Sequence, residues 1–233
     1  MASDFDRYSA HYDDYTADPI KTWIGGNSSQ YYLQLKADEL CQHLHRLRLE
    51  TQKLSALDVG CGTGLAAQML QGKFSELHGV DSSQGMIQQA RQRKLAGVVF
   101  RINDSKRLPF DDNRFDLVYS MSLLHHVPPA LRHEVITEMT RVLKPGGWMI
   151  NFEHNALNPL TCWIVKRCPL DQGVTLLRGA EMARLYRMHK LREIHARFIL
   201  FFPKQLALFR ALEPRMHWLP LGGQFYGCGQ KLR

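Results

Sequence analysis

Glycine occupies every second position in Gly60-Cys61-Gly62-Thr63-Gly64, directly after the mostly apolar stretch Leu54 to Val59. Glycine lets the backbone turn sharply and come close to a ligand. A helix that starts there offers free N–H groups to it. A second apolar stretch, Leu77 to Val80, ends in Asp81, about twenty residues on, where an acid can accept hydrogen bonds from ribose hydroxyls. The pattern predicts a nucleoside-type cofactor, and two cofactors compete for it. Gly62 to Ala67 fits the dinucleotide pattern G-x-G-x-x-A. The register argues against that fit, because the strand ends at Val59, which makes Gly60 the first turn glycine. Counted from Gly60, the position that must be small is Leu65. Asp58 would also repel a pyrophosphate, whereas it suits a cofactor with a cationic amino group.

Further motifs follow in order. They are Gly79-Val80-Asp81-Ser82-Ser83, then Asn103-Asp104-Ser105 with Leu108-Pro109-Phe110, then Phe115 to Met121 with Leu124-His125-His126-Val127, and Leu143-Lys144-Pro145-Gly146-Gly147. With the glycine run, this series resembles the class I S-adenosylmethionine-dependent methyltransferases, of the type 11-like group. The resemblance is tight over about residues 50–155 and loose elsewhere. It implies that Gly60, Gly62 and Gly64, with Asp58 and Cys61 in the same run, surround the methionine part of S-adenosyl-L-methionine. It implies that Asp81 holds the ribose, that Ser82 and Met86 flank the adenine, and that Asp104, between Asn103 and Ser105, accepts from the adenine amino group. Ser120 and Met121 would sit near the methionine end. Tyr12, in Tyr12-Asp13, would close over the cofactor.

Methyl transfer from a sulfonium is an in-line displacement with a good leaving group, so alignment and a dry site are the main demands on the protein. A hydroxyl or amine acceptor also needs somewhere to lose a proton. His125, after the fourth strand, is the candidate base or substrate contact; His154, after the fifth, is its rival, with Glu153 beside it. Residues 155–178 form an insertion whose Leu157, Leu160, Trp163 and Ile164 can wall a substrate pocket. The expected acceptor is a small or lipid-like molecule. RNA or protein methylation, non-catalytic cofactor binding and a dehydrogenase are the alternatives.

These residues need a scaffold that brings strand ends together. Strand and helix signals alternate from residue 54 to residue 152, with Ser83 or Ser82 as a helix cap and Pro129 opening a helix to about Leu143. The expectation is an α/β fold, a doubly wound, mostly parallel, seven-stranded sheet with helices on both faces, an antiparallel edge strand and a lid-like insertion after the fifth strand. Residues 1–233 are read as one methyltransferase domain, with 1–49 an N-terminal lid and first helix, 50–155 the cofactor core, and 156–233 the substrate lid and closing strands. Lys144 to Gly147 reads as a turn, and Lys204 to Leu212 as a helix.

The chain has 233 residues, long enough to bury a full core without disulfides. Its five cysteines form no CxxC pair and its eleven histidines no HExxH motif, so no metal is expected and the thiols are read as reduced, in a cytoplasmic setting. No apolar run is long enough to cross a bilayer. The net charge of +8 admits a nucleic-acid partner, but the basic residues are spread along helix and strand faces, which does not favour one. The oligomeric state is not legible.

Overall fold

The computed structural model describes residues 29–103 and 107–233. Seven strands form one sheet: β1 (Ser55–Val59), β2 (Glu76–Asp81), β3 (Val98–Ile102), β4 (Phe115–Met121), β5 (Leu143–His154), β6 (Leu191–Ile199) and β7 (Gln224–Lys231). Their order is β3-β2-β1-β4-β5-β7-β6. The first five run parallel, and β7 pairs antiparallel with both β5 and β6. The expected doubly wound fold is present. The antiparallel strand, however, stands one place in from the edge, and the edge strand β6 runs with the rest.

Strand side chains alternate between two cores. Ala56, Leu117, Ile150 and Tyr226 face a layer made by α1 (Ser29–Arg46), α2 (Leu65–Leu70) and α3 (Gln84–Gln92). Their neighbours Leu57, Val118, Met149 and Phe225 face α4 (Arg132–Val142) and α6 (Gly179–Met188). This period of two, buried on both sides, is why the strands read as continuous apolar runs. Ser83 caps α3, its hydroxyl accepting from the Met86 N–H at 3.2 Å.

Two expected elements differ. The Lys144 to Gly147 turn lies inside β5: Phe115 pairs with Leu143 and Leu117 with Trp148, so four residues stand opposite the single Asp116. Gly146 takes a positive φ of 81° there. Lys144 donates to the Asp116 carboxylate at 2.9 Å, which also accepts from Ser55, so the bulge ties the starts of β1, β4 and β5. Lys204 to Leu212 is a run of 3₁₀ turns broken at Leu206, and none of its residues is buried. With no face to bury, it has nothing to hold a longer helix.

The connection after β5 carries α5 (Pro159–Arg167). Asn158 caps it, accepting from the Thr161 N–H at 2.9 Å, and a 3₁₀ turn at Pro169–Asp171 follows. A short helix, α7 (Glu213–Met216), precedes β7. Among the described residues, no helix is long and apolar enough to cross a membrane.

Gly79 lies in β2 where a Cβ would stand 2.7 Å from the Phe100 ring and 3.0 Å from the Cys61 Cβ. Gly79→Ala is expected to lower stability by about 1–3 kcal/mol through overpacking. The check is urea denaturation, with a lower midpoint at unchanged slope; an unchanged midpoint would mean that the ring moves aside freely.

Candidate functional site

The chain leaves β1 toward β2 and returns to β1's other side at β4, so the connections diverge at the carboxyl ends of these strands. Ligands bind in such a crevice. A cavity of about 640 Å³ opens there, within the range of about 300–1,000 Å³ typical of small-molecule sites. Gly60 and Gly62 line it after β1, Asp81 and Ser82 after β2, Asn103 after β3, and Met121 to Leu123 after β4.

The glycine loop is held from beneath. The N–H groups of Gly60 and Cys61 both donate to the Val80 carbonyl, at 2.8 and 3.0 Å. Gly60 (φ 78°) has no room for a Cβ, which would meet Leu123 at 2.8 Å. Gly62 (φ 51°) has open space where its Cβ would be. Asp81 is oriented by backbone: it accepts from the Gly62 N–H and from the Ser83 N–H, both at 2.9 Å. Asp58 lies behind the loop, 1% exposed, beside the buried Tyr119 hydroxyl. Burial, and then the like charge of Asp81, push its pKa up to about 8; the buried Tyr119 hydroxyl eases this only in part.

The opposite end of the cavity carries a polar cluster. His125 Nδ1 is 2.6 Å from Glu153 Oε2, and the other Glu153 oxygen accepts from the Leu124 N–H at 2.7 Å. Both side chains are fully buried. The Nε2 atoms of His125 and His126 each lie 3.6 Å from Asp171 Oδ1, and the two rings are 4.1 Å apart. His154 packs edge-on against His125 at 5.0 Å. Burial alone would lower the His125 pKa, but Glu153 and Asp171 outweigh it and push it up to about 9. His126, buried beside that charge, falls to about 4. Both carboxylates thus favour the protonated imidazole. Buried Arg132 locks the loop from the other side. It donates to the carbonyls of Leu124 and Val127, to Glu181 and to the Thr175 carbonyl.

Residues 56–147 match the model of a methyltransferase domain family. The chain is 37% identical over 105 residues to a demethylmenaquinone methyltransferase of Staphylococcus aureus; the match covers 43% of each chain, so it spans under half of that relative's length. Among solved structures, the fold resembles an S-adenosylmethionine-dependent methyltransferase from Thermotoga maritima (TM-score 0.67, 19% identity, 97% of this chain and 98% of that one). It also resembles magnesium protoporphyrin IX methyltransferase from Synechocystis with bound S-adenosylhomocysteine (TM-score 0.64, 15% identity, 97% and 94% covered). Residues 56–147 are a class I S-adenosylmethionine-dependent methyltransferase domain.

Within this methyltransferase domain the cofactor positions expected from the sequence divide into three groups. Gly60, Gly62, Asp81, Ser82, Met86, Asn103 and Met121 line the cavity. Asp58, Cys61, Gly64 and Ser120 do not. Ser120 faces the opposite core, where its hydroxyl accepts from Asn151 Nδ2 at 2.7 Å, because strand alternation that turns Met121 toward the cavity turns Ser120 away. Gly64 is a packing position: a Cβ there would meet Phe100 at 2.9 Å and Ala90 at 3.1 Å. Cys61 is buried beneath the loop, against Gly79. Tyr12, Asp104 and Ser105 lie outside the described residues. His125 and His154 both line the cavity, and no metal was expected, yet His125, His126 and Asp171 place three ligand atoms within 4.8 Å of one another. Sequence reasoning did not single out Asp171 or Lys36. Lys36 is 3% exposed, lines the cavity and donates to Ser122 Oγ at 2.5 Å. A lysine on an otherwise apolar helix face was the one signal available for it.

A cation seated at the glycine loop favours ionised Asp58. S-adenosylhomocysteine, through its amino group, is therefore expected to bind about tenfold more tightly per pH unit from about pH 6 up to the Asp58 pKa of about 8, then level off. Calorimetric titration across this range tests it, and Asp58→Asn should flatten the profile. A flat profile in the unsubstituted protein would show that Asp58 does not titrate with binding.

Proposed function

We propose that the chain methylates a small, largely apolar, lipid-like acceptor, with S-adenosylmethionine as donor. One observation carries this reading: a single cavity joins the glycine-loop edge to a recess under α5 walled by Leu131, Val135, Leu160, Ile164 and Phe202. The bound cofactor supplies an electrophilic methyl group on a sulfonium. The residues present fit it: a buried carboxylate at Asp58, a backbone cradle at Gly60 and Gly62, and a pre-oriented acid at Asp81 for the ribose.

The other residues align and dry the acceptor. The apolar wall excludes water, which keeps the nucleophile unsolvated and the electrostatics strong. The acceptor's polar end is left with His125, His126, His154 and Asp171, which are among the polar groups lining the cavity. Exposed Leu208, Phe209 and Trp218 support a lipid-like partner. The Phe209 ring lies 5.8 Å from that of Phe202, a cavity residue. The similarity to a demethylmenaquinone methyltransferase points the same way.

Incubation with methyl-labelled cofactor and an alkyl-chain hydroquinone or phenol should place label in the organic extract. Label confined to RNA or protein, lost steeply with salt, would overturn the reading. Asp81→Ala is expected to weaken S-adenosylhomocysteine binding by tenfold or more. Ile164→Asp should raise the acceptor KM and leave cofactor affinity unchanged, which steady-state kinetics and calorimetry can separate.

A further inference from the structure

We propose that His125, His126 and Asp171 bind one divalent transition-metal ion at the acceptor end of the cavity. The geometry is the first argument. Each histidine Nε2 lies 3.6 Å from Asp171 Oδ1, as an ion pair. That spacing is close to the edge, about 3.4 Å, of a tetrahedron of nitrogen and oxygen ligands about 2.1 Å from zinc. All three ligand atoms fall within 4.8 Å of one another.

The surroundings are the second argument. His125 Nε2 is wholly buried and faces this cluster, with Asp171 Oδ1 at 3.6 Å. Its Nδ1 is fixed on Glu153 at 2.6 Å, and Glu153 is itself held by the Leu124 N–H. A carboxylate behind a histidine is the arrangement that orients a metal ligand and raises its basicity. The ligands also come ready-placed. The Thr175 N–H donates to the His125 carbonyl at 3.2 Å, and Arg132 donates to carbonyls on both segments. These bonds pin the turn bearing Asp171 to the loop bearing the histidines.

Three protein ligands leave a coordination position open toward the cavity, as in catalytic rather than structural sites. The role of the ion rests on the methyl-transfer reading. An acceptor hydroxyl that takes the open position loses its proton to solvent at the cavity mouth; its oxygen then forms a bond to the methyl carbon as the sulfur–methyl bond breaks, and S-adenosylhomocysteine leaves, with no change in oxidation state.

The test uses the full chain stripped with chelator and titrated with Co²⁺, followed by visible absorption, with Zn²⁺ competing. The expected result is one Co²⁺ per chain, with the intense visible bands of a four- or five-coordinate site. His126→Ala and Asp171→Asn should each weaken binding by at least a hundredfold. Glu153→Gln, which keeps all three ligands, should weaken it about 10- to 100-fold. S-adenosylhomocysteine affinity, measured on the same samples, reports that each variant is folded. Absence of stoichiometric Co²⁺, or binding unmoved by His126→Ala and Asp171→Asn, overturns the proposal even if cofactor binding is normal. Stoichiometric Co²⁺ binding without any S-adenosylhomocysteine binding upholds the metal site and overturns the methyltransferase reading instead.

Discussion

The chain departs from β1 to one side and comes back to its other side at β4, and every residue of the cavity takes its place from that reversal. Helices that follow the two sets of strands must lie on opposite faces, because right-handed crossovers leave no other arrangement. The carboxyl ends of β1 and β4 are then uncovered between them. Gly60, Asp81 and His125 are remote in sequence but stand around that one opening. Glu153, at the end of β5, finishes the arrangement by holding both the Leu124 N–H and the His125 ring.

The site is dense in buried polar groups, and their treatment differs. Asn151, Ser120 and the Tyr186 hydroxyl satisfy one another in the far core. Arg132 spends its donors on three carbonyls and Glu181. Asp58, in contrast, is buried beside the like charge of Asp81, and His125 Nε2 stands 3.6 Å from Asp171 Oδ1.

Much of this was legible in the sequence. Strand positions followed from apolar runs, and the glycine register with Asp81 pointed to the edge where the cavity opens. What the sequence could not show was which way a side chain points at a strand end. Ser120 and Met121 are neighbours of similar promise, and the pleat sends one to each face. Gly64 reads like Gly60, but it lies off the cavity, packed against Ala90 and Phe100. Asp171 was invisible because it meets the histidines only through the folding of the insertion. Lys144 to Gly147 has the composition of a turn and becomes a bulge because β5 runs straight through it to pair with β4.

The place of β7 has a consequence for biogenesis. It follows β6 in sequence yet lies between β5 and β6 in space. On the ribosome, β6 is made before it has any partner, and β5 waits with one side unpaired until residues 224–231 emerge. Two open strand edges exist during that interval, and such edges invite pairing with other chains. The sheet is zipped shut by its last-made strand, so shielding of the nascent chain matters most just before synthesis of this region is complete.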